Sequence, residues 1–291
     1  MSNVLDVNEI NRPVPAASRA SGESASVMPQ QLMLAFLGTF VVDRDRDVIA
    51  AKIYLELFGY LGVSESATRA TLNRMVRSGL LTRVQVGRTA SFGISERGEK
   101  LLREGGARVT AANPFAREDS GWTLLSYTIP EARRDLRHQL RSQLLWAGFG
   151  RLRDGLWIAP GVVDTQELLS GLGTTDVASF AFAGNPLPGT SPADFVADAW
   201  DLAAIEAEHR QFIDRWTDSD AAPENPLAAH TALVADWLRL LRGDPGLPTQ
   251  YLPRDWPAET STATYAKASQ KYSGPAEEFL SRMIGQSGNR R

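Results

Sequence analysis

Ser64–Gly105 reads SESATRATLNRMVRSGLLTRVQVGRTASFGISERGEKLLREG, and the fold turns on this stretch. Ser64 is a good N-cap and Gly79 a good C-terminal stop, so one helix lies between them. LLTRVQVG and RTASFGI are two short strands around Gly87, and Ser95 opens a further helix through SERGEKLLREG. Upstream, LMLAFLGTF (Leu32–Phe40) has helical periodicity, which resumes after the charged DRDRD break in VIAAKIYLELFGYLG and ends at Gly62. Three helices, a hairpin and a helix make a winged helix-turn-helix, expected over 29–106.

On a wheel at 100° per residue, Ser66, Arg69, Ala70, Asn73, Arg74 and Arg77 share one side of the third helix, within about 140°. Thr68, Leu72, Met75 and Val76 occupy the other. An apolar side docks on the first two helices, while arginine can pair with guanine or phosphate and asparagine with adenine. Arg83 at the hairpin stem and Arg88 near its tip stand where a wing reaches phosphate or minor groove. The alternative is a basic face that is only solvated. Five arginines and no acidic residue lie between Ser66 and Ile94, a charge of +5. From Pro192 to Glu259 thirteen acidic and five basic residues give −8, which repels phosphate. The chain average of −3 over 291 residues conceals this division.

With 43% hydrophobic and 22% charged residues, the composition is that of a globular protein with more than one core. No apolar run of about 18 residues is present to span a bilayer, and the N-terminus lacks a signal-peptide pattern, so a cytoplasmic protein is expected. Zero cysteines exclude disulfides, thiolate zinc sites and a cysteine nucleophile; the three histidines, His138, His209 and His230, are scattered. Neither a metal nor a cofactor is expected.

Residues 1–28 are rich in Ala, Ser and Asn and read as a disordered arm, and 107–121 as a linker. Over 122–189, WTLLSYTI is a strand, PEARRDLRHQLRSQLLWAG a helix stopped by Gly148, FGRL and LWIA strands around an Arg-Asp-Gly turn, DTQELLSGLG a helix and VASFAFAG a strand. The order βαββαβ is the ferredoxin-like motif, with two helices on one sheet face. Over 190–291 a helical module is expected. SPAD (Ser191–Asp194) opens an amphipathic helix of roughly 25 residues. Asn225-Pro226 starts another, and two shorter helices follow the loop GLPTQYLPRDWP. The class is α+β.

Three blocks carry a resemblance: GYLGVSESATRATLNRMVRSGLLTRVQVGRTASFGISERG, WTLLSYTIPEARRDLRHQLRSQLLWAGFGRLRDGLWIAP and LPTQYLPRDWP. Together they resemble the PaaX-type phenylacetic-acid degradation repressors, from about Gln30 onward. The resemblance implies a homodimeric repressor of an aromatic-acid catabolic operon that binds double-stranded operator DNA. It implies release by an aromatic acyl-CoA such as phenylacetyl-CoA. It places Arg69, Asn73, Arg74, Arg77 and Arg88 in the DNA-reading block. The long N-terminal arm departs from the family pattern.

In the middle module, Arg133, Arg134, Arg137 and Arg141 fall within about 100° of one another on the helix. Arg133, Arg137 and Arg141, with Trp157, are candidates to hold the phosphates and acyl group of a CoA ligand. Glu131 and Asp135 partly neutralise the stripe and favour its reading as a solvated face. Trp122, Trp146 and Trp256 lie at strand or loop ends, where anchors of a core or a planar ligand pack. Glu206, Glu208 and His209 lack metal-ligand spacing and read as solvated.

No nucleophile elbow, phosphate loop or dinucleotide fingerprint is visible, so a non-enzyme is expected. Two further readings stay open. One is a nucleic-acid-processing enzyme whose metal would need Asp135 and Asp154. The other is a winged-helix interaction scaffold.

Overall fold

A computed structural model of the chain describes residues 28–44, 46, 48–87, 89–115, 121–170, 177–217 and 224–288. The arm expected over 1–28 lies, apart from Met28, outside the described residues, and so does Arg88. The fold is α+β, with two antiparallel sheets. Two compact units are present. One comprises 28–112, 211–239 and 260–288; the other comprises 113–210 and 240–259.

The first unit opens with α1 (Pro29–Phe40), β1 (Ile49–Ala50), α2 (Ala51–Tyr60), α3 (Glu65–Arg77), β2 (Leu81–Val86), β3 (Thr89–Ile94) and α4 (Glu96–Val109). Strand β1 is absent from the sequence reading, which runs α2 back to Val48. Ala50 is extended, and Ile49, 1% exposed, pairs with Phe92, so the strand order is β1-β3-β2. Register Val86↔Thr89 leaves a two-residue connection beginning at Gly87, whose φ is +61°; a positive φ there matches a tight hairpin. Tyr54 is fully buried between Phe36 and Phe92, with ring centroids at 5.5 and 6.1 Å. These edge-on contacts tie α1, α2 and β3 into one core.

Later segments complete this unit. In α9 (Pro226–Gly243), Asn225 Oδ1 accepts from Ala228 N at 2.9 Å as an N-cap. Trp237 stacks on Tyr265 with centroids 4.5 Å apart. Asp236, buried, pairs with Arg215 at 3.0 Å and Arg239 at 3.5 Å and accepts from the Trp216 indole at 3.2 Å; those partners make burial of the carboxylate tolerable. The two short terminal helices of the sequence reading are one helix, α10 (Ala258–Gly288), which runs through Pro275. Its buried residues Ala268, Tyr272, Ala276, Leu280 and Met283 recur every three or four positions on both sides of the proline. Burial of that continuous stripe outweighs the hydrogen bond that proline removes.

In the second unit, β4 (Trp122–Thr128), α5 (Arg134–Trp146), β5 (Gly150–Arg153), β6 (Leu156–Pro160), α6 (Thr165–Ser170) and β7 (Ala178–Gly184) give a four-stranded sheet ordered β5-β6-β4-β7. Leu125, Trp157 and Ala159 on one face pack with Leu136, Leu140 and Leu144 of α5 and with Leu168 and Leu169 of α6. Trp122 and Ile158 on the other face pack with Val196 and Leu247. Trp122 meets Phe195 edge-on at 4.8 Å, so it is a core anchor.

The helix of roughly 25 residues expected after Ser191 is divided into α7 (Pro192–Ala199) and α8 (Leu202–Thr217). Trp200 between them is extended, with φ −130° and ψ 140°. Its ring packs against Trp122, 6.2 Å between centroids, and Asp201 Oδ1 caps the next helix by accepting from Ala204 N at 3.0 Å. Aromatic packing and a fresh N-cap thus interrupt a pattern that is helical in sequence. His209, expected to be solvated, is enclosed instead. It is fully buried, its Nε2 lies 2.9 Å from Asp244 Oδ2, and Phe115 and Trp256 flank its ring at 4.8 and 6.0 Å.

Candidate nucleic-acid interface

The sequence of α3 explains both of its faces. Ser64 Oγ accepts from Ala67 N at 3.3 Å and starts the helix. Gly79, at φ +72°, ends it, with Leu80 N donating to Met75 O at 2.9 Å. Thr68, Thr71, Leu72 and Met75 are buried. Thr68 and Thr71 hydroxyls donate to the carbonyls of Ser64 and Ala67 at 3.1 and 2.9 Å, which lets polar side chains sit inward. Ser66, Arg69, Asn73, Arg74 and Arg77 are all exposed.

Arg69 is engaged by Glu65 one turn earlier, an exposed ion pair that tempers the cationic face at its N-terminal end. Arg83 is exposed on β2 opposite Phe92 of β3.

Helix α3 is anchored at its C-terminal end. The Ser95 hydroxyl donates to Gly79 O at 2.6 Å and accepts from Gly98 N at 3.0 Å, so one side chain caps α4 and holds the turn after α3. Gly98 is required at its position: a Cβ there would lie 2.3 Å from Leu80 O.

The second candidate set lies in the other unit. Arg137, Arg141 and Trp157 line one cleft of ≈ 420 Å³, with Tyr127, Ile129 and Arg151. Arg133 is not among its lining residues and faces Asp135 at 3.7 Å. Arg137 donates to Ile129 O at 3.1 Å. Arg151 is the residue that sequence reading missed; its signal was the Gly-Arg-Leu-Arg alternation of β5, which sets Arg151 on the sheet face opposite Leu152. The side chain of Trp146 lies outside the described residues. Asp135 and Asp154 are each paired with an arginine, Arg133 and Arg151. Among the described residues no helix is long and apolar enough to cross a membrane, and no group of three His, Cys, Asp or Glu could hold a metal.

These features define an α+β protein that exposes an arginine-rich helix from a capped, well-packed unit. The chain belongs to the PaaX-like family. Family models match consecutively: PaaX-like protein over 29–98, PaaX protein central Cas2-like domain over 116–196 and PaaX-like protein C-terminal domain over 200–282. The chain is similar to the transcriptional repressor PaaX of Escherichia coli (strain K12), 26% identical over 234 residues, covering 76% of this chain and 73% of the relative. In fold it is similar to the uncharacterized protein Rv0674 from Mycobacterium tuberculosis, with a TM-score of 0.56 and 24% identity over 88% of this chain and 100% of that one.

Proposed function

We propose that the chain is a DNA-binding transcriptional repressor, with α3 as the reading helix of a winged helix-turn-helix. The observation that carries this reading is the division of α3: Ser66, Arg69, Asn73, Arg74 and Arg77 are exposed, while Thr68, Thr71, Leu72 and Met75 are buried. Membership of the PaaX-like family over 29–98 supports it. Arginine and asparagine side chains reach base edges in the major groove, and Arg83 and Arg88 on the wing take phosphate or minor groove. As a homodimer in the cytoplasm, the protein would set two copies of α3 in grooves separated by about one turn, roughly 34 Å.

The order β5-β6-β4-β7, antiparallel throughout, supports a ferredoxin-like reading of the middle module. The effector is an aromatic acyl-CoA of the phenylacetyl-CoA type, and the target an aromatic-acid catabolic operon. The enzyme reading is disfavoured because Asp135 and Asp154 face arginines instead of each other. Anisotropy of labelled DNA from upstream of the gene, against a scrambled duplex at physiological salt, tests the proposal. Sequence-selective binding relieved by phenylacetyl-CoA is the expected outcome. Equal affinity for both duplexes rejects the repressor reading, and selective binding indifferent to the thioester rejects the effector.

A further inference from the structure

The cleft between α5 and the β5–β6 turn draws cationic groups from separate elements. Arg137 and Arg141, one helical turn apart on α5, meet Arg151 from β5 around a cleft of ≈ 420 Å³, a size within the range of small-molecule sites. Its carboxylate is Asp154, paired with Arg151 at 3.0 Å, and the Asp154 side chain is fully exposed. An exposed i,i+3 pair is held weakly, so an incoming anion can replace Asp154 at little cost. Arg137 is already oriented by its bond to Ile129 O. Arg141 has no ion pair among the described residues.

Trp157 provides an independent sign. Its side chain is 2% exposed and lines the cleft, and its Nε1–H has no hydrogen-bond partner among the described residues. A buried donor left without an acceptor is unfavourable, and a ligand oxygen in the cleft supplies what it lacks. Tyr127 and Ile129 on the same wall offer aromatic and aliphatic surface. The site therefore combines cationic guanidinia, an indole donor and an apolar wall.

We infer that this cleft binds a small organic anion, with its carboxylate or phosphate oxygens taken by Arg137, Arg141 and Arg151, an acceptor on the Trp157 indole and its apolar body against Tyr127 and Ile129. Any role in regulation rests on the repressor reading above; binding itself does not.

Calorimetric titration of the full chain at low salt with phenyl phosphate, benzoate and inorganic phosphate tests the site. One-to-one saturable binding of an aromatic anion, tighter than inorganic phosphate, is expected; comparison of the first two probes tells a phosphate site from a carboxylate site. Arg141→Ala weakens binding by about tenfold or more, the scale of one lost hydrogen bond to a charged group. Trp157→Phe keeps an aromatic side chain but removes the N–H donor and weakens binding severalfold, while Arg134→Ala, on the same helix but outside the cleft, leaves it unchanged. Absence of saturable heat with all three probes overturns the inference, as does an equal loss in Arg134→Ala, which would reduce the effect to general charge. Adding the bound probe to the protein–DNA complex separates the two readings: binding with no release of DNA keeps the site and rejects its regulatory role.

Discussion

The Ser95 hydroxyl donates to the Gly79 carbonyl at 2.6 Å, joining the turn that follows α3 to the first turn of α4. Because the same oxygen accepts from Gly98 N, Ser95→Ala removes two hydrogen bonds and one helix cap together. A loss of about 1–2 kcal/mol in unfolding free energy is expected, the scale of a lost N-cap. Urea denaturation followed by circular dichroism measures it; an unchanged midpoint would refute the anchoring role.

Gly98→Ala presses a methyl group onto the Leu80 carbonyl, 2.3 Å from the ideal Cβ position. Backbone cannot move aside as a flexible side chain can, so a cost of about 1–3 kcal/mol follows from overpacking. Gly105→Ala, where a Cβ meets nothing within 4 Å, is the matched control. It should equal or slightly exceed the parent in stability, since alanine favours helix. Thermal melts of the two variants side by side decide the matter.

On the exposed face of α3, Asn73→Ala and Arg74→Ala should each weaken operator binding by about 1–3 kcal/mol and relax preference at one base position, if they read bases. Leu72→Ala would act differently. Its side chain is 1% exposed, so truncation costs about 2–5 kcal/mol of folding stability. Anisotropy titrations paired with denaturation curves separate loss of contact from loss of fold.

Glu65→Gln frees Arg69 from its ion pair and removes a negative charge from the N-terminal end of α3. Affinity for duplex DNA should rise, most at low salt, with a steeper dependence on salt concentration. A titration series in sodium chloride reads the slope. A fall in affinity would mean that Glu65 itself contacts a base.

His230 gives the first unit a dependence on pH. Its ring packs edge-on against Phe40 at 5.4 Å, and burial pushes its pKa down to about 4. The unfolded chain, with an ordinary value near 6.5, binds this proton first. Stability from the neutral ring is full above about pH 6.5 and is lost as pH falls towards 4, because the unfolded state takes up more protons in that window. Denaturation midpoints across this range should decline, with the decline reduced in His230→Phe.

Much of the first unit was legible because its signals are local. Ser64, Gly79 and Ser95 mark ends that the structure keeps, and the spacing of Leu72 and Met75 selects the buried side of α3. The exposure of Arg69, Asn73, Arg74 and Arg77 follows from that spacing alone. Strand β1 was not legible, since two residues, Ile49 and Ala50, carry no periodicity and their pairing with Phe92 and Ser91 is made across more than forty positions. The joining of the terminal helices through Pro275 and the breaking at Trp200 of the helix expected after Ser191 were hidden for the same reason. Each depends on which apolar surface a distant segment offers.

The sequence by itself determined the order of elements, their caps and turns, and the two-sided character of α3, because hydrogen bonds and side chains within a few residues control these. Tertiary structure alone decided which charges share a site. Arg137 and Arg141 are neighbours on a helix, but Arg151 and Trp157 join them through the pairing of β5 with β6 and the packing of α5 on that sheet. Sequence spacing carries no record of a meeting made by strand register and helix packing, which only the buried core enforces.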